Sequence, residues 1–245
     1  MHQIRSYRNL LYKGELIAFR VVVKETDIFV HATKPLENIT KEIILKHRGY
    51  IEAYIRRYPA FVTALAPWRL AGPLPAIIRE MVGAGENAGV GPMAAVAGAI
   101  AEQVGLDLLA HTDEVIVENG GDVFLKTHMP VTVGIFAGSS PISLRMGLRL
   151  DSEENPVSVC TSSGTVGHSL SFGKADAVCV ISRSCALADA AATSIGNKVD
   201  SKGHIQQAID FGKHIKGVMG IVVIVEDAVG AWGEVEMVPL EREKG

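Results

Sequence analysis

Between Leu16 and Ala32 the apolar positions crowd into two runs, LIAFRVVVK and DIFVHA, joined through Glu25 and Thr26, and so short a connection predicts an antiparallel hairpin. The period then changes. Ile39, Ile43, His47, Ile51, Tyr54 and Tyr58 recur at intervals of three and four between Pro35 and Pro59, which is one face of a helix with a weak point at Gly49. Residues 59–75 hold Pro59, Pro67, Pro73 and Pro75 with no clear period, so they read as a connector able to separate subdomains. Pro75 then stands at a helix start before AIIREMV, until Gly83, Gly85, Gly89 and Gly91 interrupt the pattern. From Pro92 a second helix runs through MAAVAGAIAEQVG to Gly105, and a surface of such small residues must pack very closely on something.

Next comes EVIVE, the turn Asn119-Gly120-Gly121-Asp122, and VFLK, a strand, tight turn and strand in succession. The apolar runs VTVGIF, SLRMGLRL, DAVCVIS and GIVVIV predict further strands. Between the last two lie a helix from about Cys185 to Ile195 and another from about Lys202 to Ile215. The polar tail EREKG is expected to fray. With no repeat and no low-complexity tract, the economical reading is α/β or α+β with a substantial sheet. At roughly 150 residues per domain, the length is compatible with one large domain or two sharing a core.

Composition narrows the class. At 48% apolar and 21% charged, the chain can bury a large core, which excludes disorder and mini-protein scaffolds. Lys+Arg 24 against Asp+Glu 27 leaves no basic excess to attract nucleic acid. Cys160, Cys179 and Cys185 form neither a disulfide framework nor a CxxC zinc motif, which suggests a reducing compartment. No apolar run reaches the 18 or so residues of a membrane span, so a soluble, cytoplasmic protein is expected. The mean hydropathy of +0.23 and the small-residue helices fit a homodimer. The 25 glycines cluster, and glycine clusters let backbone approach a ligand or another segment closely.

Four segments carry candidate chemistry. Gly83 to Gly91 leads into the helix at Pro92, where free amides and the dipole suit phosphate; yet the GxGxxA stretch follows a helix, no GK[ST] occurs, and plain close packing explains the glycines as well. Asp122 beside Gly120 and Gly121 can reach a cation or a ribose hydroxyl, or serve only the turn. Thr161-Ser162-Ser163-Gly164, close before His168, offers hydroxyls and amides to an oxygen-rich ligand, or is a simple Ser/Thr turn with a surface histidine. Cys160 with His168 also admits a nucleophile and base, but nothing in the sequence indicates a lowered thiol pKa. Asp189 and Thr193, four apart in an alanine-lined helix, project from one face and either cap locally or offer the oxygen donors that Mg²⁺ prefers.

Taken in order, Gly120-Gly121-Asp122, Thr161-Ser162-Ser163-Gly164, His168 and Ala188-Asp189-(Ala)₃-Thr193 resemble the ApbE-type FMN transferase family, over roughly residues 83–197. The resemblance implies a single ApbE-like domain over residues 1–245, α+β or α/β, with a mixed, largely antiparallel sheet flanked by helices around a flavin-nucleotide cleft. Family members bind FAD and Mg²⁺, split the pyrophosphate and attach FMN to a Ser or Thr of an acceptor flavoprotein, and some hydrolyse FAD instead.

By the same resemblance Asp189, Thr193 and the Gly91 carbonyl are the metal ligands, and His168 is the residue of the phosphoryl chemistry. Gly89, Gly91, Gly120, Gly121, Asp122, Thr161, Ser162, Ser163 and Gly164 then line the nucleotide site. This chain departs from the pattern in three places: Pro92 stands where the family has a lysine, Ser169 to Gly173 replaces an Asp-Pro-x-Thr-Gly segment, and the Met-Gly-Thr opening is missing. A lipoprotein signal, common in the family, is not seen either. Metal binding is therefore better preserved than flavin transfer. The alternatives are a non-catalytic carrier or sensor for a nucleotide or pterin, or a structural interaction module, though the latter leaves the gathered polar residues unexplained.

Overall fold

The computed structural model describes residues 16–69, 72–164 and 173–240. An eight-stranded sheet forms its centre, in the order β1 (Ile17–Val23), β2 (Thr26–Ala32), β3 (Val115–Asn119), β4 (Asp122–Lys126), β7 (Val157–Ser162), β8 (Ala177–Ser182), β9 (Val218–Val225) and β10 (Ala228–Gly233). A second sheet has the order β11 (Glu236–Pro239), β6 (Met146–Leu150) and β5 (Val131–Gly134). Every pairing described is antiparallel. Among the described residues there are five α-helices: α1 (Glu37–Arg57), α2 (Ala76–Ala88), α3 (Val96–Leu108), α4 (Cys185–Gly196) and α5 (Ile205–Gly212).

The central strands read as unbroken apolar runs because both faces of the large sheet are covered. Successive side chains point to opposite faces. Val115 and Val117 of β3, and Val178 and Val180 of β8, therefore join the helices in one core. Ile116, with Ala177, Cys179 and Ile181, packs against Val131, Val133, Leu148 and Leu150 of the small sheet in a second core. The result is three layers: helices, large sheet, small sheet. No single helix among the described residues is long and apolar enough to cross a membrane.

The β-rich runs, the strand pair around Gly120-Gly121 and the principal helices form as the sequence indicates. The β1–β2 connection is Lys24-Glu25 rather than Glu25-Thr26, because Thr26 pairs with Val23 and Lys24 takes the left-handed conformation (φ 53°) that a tight hairpin requires. Helix α1 passes through Gly49 without a break. Within 59–75, a 3₁₀ turn at Pro59–Phe61 buries Phe61 in the helix-side core, where its ring meets Tyr54 at 4.9 Å and Trp68 at 5.6 Å.

The glycine-rich stretch after Pro75 is a clearer correction. Pro75 is the N-cap residue of α2, not its first helical residue, and the helix runs through Gly83 and Gly85 to Ala88. Gly85 is there for contact: a Cβ would lie 2.8 Å from the Val90 carbonyl oxygen. Only Gly89, left-handed at φ 72°, ends the helix. A 3₁₀ turn at Pro92–Ala95 precedes α3, which continues past Gly105 to Leu108. Strands β10 and β11 give no clear apolar period in the sequence; the first, AVGAWG, is mostly small and exposed.

Candidate functional site

Helix α3 meets α4 near the N-termini of both and lies on β4, and two glycines of the small-residue stretch show how tightly. A Cβ on Gly98 would fall 2.3 Å from the Cys185 carbonyl oxygen and 2.8 Å from the Asp189 Cβ, and one on Gly105 would fall 2.2 Å from the Phe124 ring. At this crossing each helix supplies a carboxylate to the other's start. The Gly98 amide donates to Asp189 Oδ2 at 2.9 Å. In return Glu102 Oε2 accepts from the Cys185 amide at 2.8 Å, the Ala186 amide at 3.1 Å and the Ser184 hydroxyl at 3.2 Å. No side chain of its own caps α3, so Asp189 satisfies an otherwise orphaned amide.

Asp189 also meets a second carboxyl group. Asp122 opens β4, buried, directly after the turn formed by Gly120 (φ 72°) and Gly121 (φ 119°). The Gly121 amide donates to Glu118 Oε1 at 3.0 Å, and Asn119 Nδ2 donates to the Ala97 carbonyl at 3.0 Å, which ties the turn to the start of α3. The Asp122 and Asp189 side chains are hydrogen-bonded to each other. Burial and then the neighbouring Asp189 charge push Asp122 well above the usual carboxylate range. Burial pushes Asp189 up to about 7, against the pull of the Gly98 amide and the Asp122 contact. Without a cation the pair shares a proton, as adjacent carboxyl groups do. Asp122 is buried and Asp189 partly buried.

Several of the other expected residues lie on segments tied to α4 or to the hairpin turn. Thr193, one turn beyond Asp189, is buried. Ser194 Oγ donates to the Ala88 carbonyl at 2.6 Å, fastening α4 to the end of α2, where Gly89 and Gly91 follow. Gly91 is buried, and a Cβ there would fall 1.7 Å from the Ala64 carbonyl oxygen, so its lack of a side chain answers a packing demand. The Gly91 carbonyl accepts from the Ala94 amide at 3.1 Å and keeps its second lone pair. The hairpin turn lies against the end of β7, with the ideal Gly121 Cβ position 3.7 Å from the Thr161 carbonyl oxygen.

Of the expected Thr161–Gly164 loop, Thr161 and Ser162 belong to strand β7, pairing with Cys179 and Val178, and only Ser163 and Gly164 leave the sheet. Thr161 Oγ1 donates to Cys179 Sγ at 3.4 Å, while the Ser162 hydroxyl is buried without a partner. Gly164 touches backbone: a Cβ would fall 1.9 Å from the Gly173 carbonyl oxygen, and one on Gly173 would fall 1.9 Å from that of Gly196. His168 lies outside the described residues.

Cys160 and Cys185 sit beneath the pair, their sulfurs 3.5 Å apart, and the Cys160 thiol also bonds Asp122. Burial pushes both thiols up, so they stay protonated and a thiolate nucleophile is not formed.

The two contacting carboxyl groups are hard oxygen donors, which suits Mg²⁺, since a divalent cation would relieve them of mutual repulsion. Among the described residues no group of three or more His, Cys, Asp or Glu side chains is placed to hold a metal, so further ligands would come from hydroxyl, backbone, water or substrate. The residues that sequence reasoning missed are Gly98, Glu102 and Asn119. Gly98 and Glu102 lie in the small-residue stretch already marked for close packing, but nothing in it points to their partners 91 and 83 residues away.

The family described as AbpE bacteria matches residues 8–231. The chain belongs to this family. A UPF0280 protein of Methanocaldococcus jannaschii is 44% identical over 230 residues, covering 91% of this chain and 93% of its own length. Among solved structures, the flavinyl transferase ApbE of Pseudomonas stutzeri, in its apo form, matches with TM-score 0.61 at 14% identity, covering 91% of this chain and 95% of that one. The ApbE protein of Thermotoga maritima matches with TM-score 0.54 at 14% identity, covering 88% and 96%. The fold is therefore the ApbE fold over nearly all of the chain, an α/β architecture with a largely antiparallel sheet, and the Asp122–Asp189 pair lies within the matched region.

Proposed function

We propose that this chain binds a flavin nucleotide at the Asp122–Asp189 pair, with Mg²⁺ as the bound ion, and acts on the FAD pyrophosphate to transfer FMN to an acceptor protein or to water. The observation that carries this reading is the hydrogen-bonded contact of two carboxyl groups at the crossing of α3 and α4. Support also comes from the likeness to a protein named as a flavinyl transferase, and from the gathering of the hairpin turn, the β7 end and α4 around that contact.

In this reading Asp122, Asp189, Thr193 and the Gly91 carbonyl would hold the metal. Bound Mg²⁺ would supply charge neutralisation at the pyrophosphate, the chief requirement of phosphoryl transfer. The Gly98 amide fixes the Asp189 carboxylate, and the Glu118–Gly121 contact fixes the turn that presents Asp122. His168 is proposed to accept the proton of the attacking hydroxyl.

The test is incubation of the pure protein with FAD and Mg²⁺, following AMP release and FAD binding together. Mg²⁺-dependent binding that Asp189→Ala removes supports the reading, and equal binding by parent and variant ends it. FAD bound but returned intact would favour a carrier instead, a reading motivated by buried Pro92, where the family's lysine is absent.

A further inference from the structure

Beside the carboxyl pair lies a cavity of about 310 Å³ between α1 and α3. Its walls are Ile51 and Ile55 from α1 and Met93, Val96 and Ile100 around the start of α3. Asn119 also lines it and stands next to the pair in two ways: it faces Asp122 across the two-residue turn, and its amide bonds Ala97, the residue before Gly98.

The rim is ionic yet balanced. Lys24 bonds Glu52 at 2.8 Å, while Arg48 bonds Glu52 at 3.1 Å, Glu25 at 2.6 Å and the Thr26 hydroxyl at 2.6 Å. Two cations answer two anions, so the rim holds no spare positive charge for a phosphate. The walls ask for an apolar or aromatic body. A cavity at the small end of the range for ligand sites, which begins at about 300 Å³, takes one ring system and not a whole dinucleotide.

Asn119 supplies the specificity. Its Nδ2 spends one hydrogen on the Ala97 carbonyl, and its Oδ1 takes no donor among the described residues. One acceptor and one further N–H are thus left for a partner, the complement of a heterocycle that carries a donor beside an acceptor on its edge. We infer that this cavity seats the uncharged heteroaromatic ring of the nucleotide, with Asn119 reading its amide-like edge, so that the pyrophosphate emerges beside Asp189. The inference rests on the nucleotide reading above and adds the place of the ring and the residue that selects it.

The experiment uses the full chain and two probes that carry a ring and no phosphate, riboflavin and adenosine, each titrated alone and as a competitor of FAD. One of the two binds saturably and displaces FAD. Val96→Phe and Ile55→Phe each fill the cavity from a partly exposed wall position, and each weakens that binding by about tenfold or more. Asn119→Leu weakens it as well. Both filled variants keep the Mg²⁺-induced rise in melting temperature that reports an intact carboxyl pair.

Unchanged ring affinity in both filled variants overturns the inference. So does FAD binding that neither probe competes, an outcome that leaves the proposed function standing. A parent that binds no FAD at all removes both.

Discussion

The Gly98 amide and the Asp189 carboxylate are 2.9 Å apart, and only glycine permits the approach, since a Cβ at residue 98 would meet the Asp189 Cβ at 2.8 Å. The hydrogen bond and the missing side chain are one device that sets where the carboxylate sits. Gly98→Ala is expected to destabilise the fold by about 1–3 kcal/mol through overpacking, measured by chemical denaturation. It should also lower Mg²⁺ affinity, whereas an equally destabilising change remote from the crossing should not.

The carboxyl pair makes a prediction about pH. In Mg²⁺-free buffer Asp189 titrates near 7 in the folded protein, against about 3.9 in the unfolded chain. The folded state therefore binds more protons between these values, and the pair's contribution to stability is complete below about 4 and lost as pH rises through about 7. His31 and His47, held low by burial, act in the opposite sense below about 6.5, so the measurement is the difference between parent and Asp189→Asn. Parent stability relative to Asp189→Asn should fall between pH 5 and 8. A difference that stays flat would show that the pair does not titrate there.

Glu102 is expected to matter to α4 although it belongs to α3. Glu102→Ala leaves the Cys185 and Ala186 amides without their acceptor, a capping loss of about 1–2 kcal/mol. Equilibrium denaturation reads the loss, and hydrogen exchange at residues 185 and 186 should show it locally.

Gly121, at φ 119°, occupies backbone space that side chains rarely adopt. Gly121→Ala should cost about 1–3 kcal/mol of strain and shift Asp122. Gly120 at φ 72° lies where asparagine is tolerated, so Gly120→Asn should be the milder change in both melting temperature and FAD binding.

Much of the scaffold was legible because strand and helix periods are local. The hairpin ending at Asp122, the face of α1 and the small-residue packing of α3 could all be read from spacing. The misreadings share a physical cause. Gly83 and Gly85 signal a break in any isolated chain, yet the helix runs through both, and Gly85 answers the close approach of the Val90 carbonyl. Thr161 and Ser162 suit a turn by composition, but pairing with β8 keeps them extended. At the candidate site, Asp122 and Asp189 were visible as separate signals. Their contact depends on how α4 crosses α3, which no local pattern encodes.

Gly164, Gly173 and Gly196 form a column in which three backbones press together where side chains would collide. The column joins the end of β7, the approach to β8 and the last residue of α4. A side chain at Gly164 or Gly173 would be driven into backbone, so a substitution there would strain the strand ends and the helix that carries Asp189 together. The seat of the carboxyl pair thus leans on two residues whose whole contribution is to have no side chain.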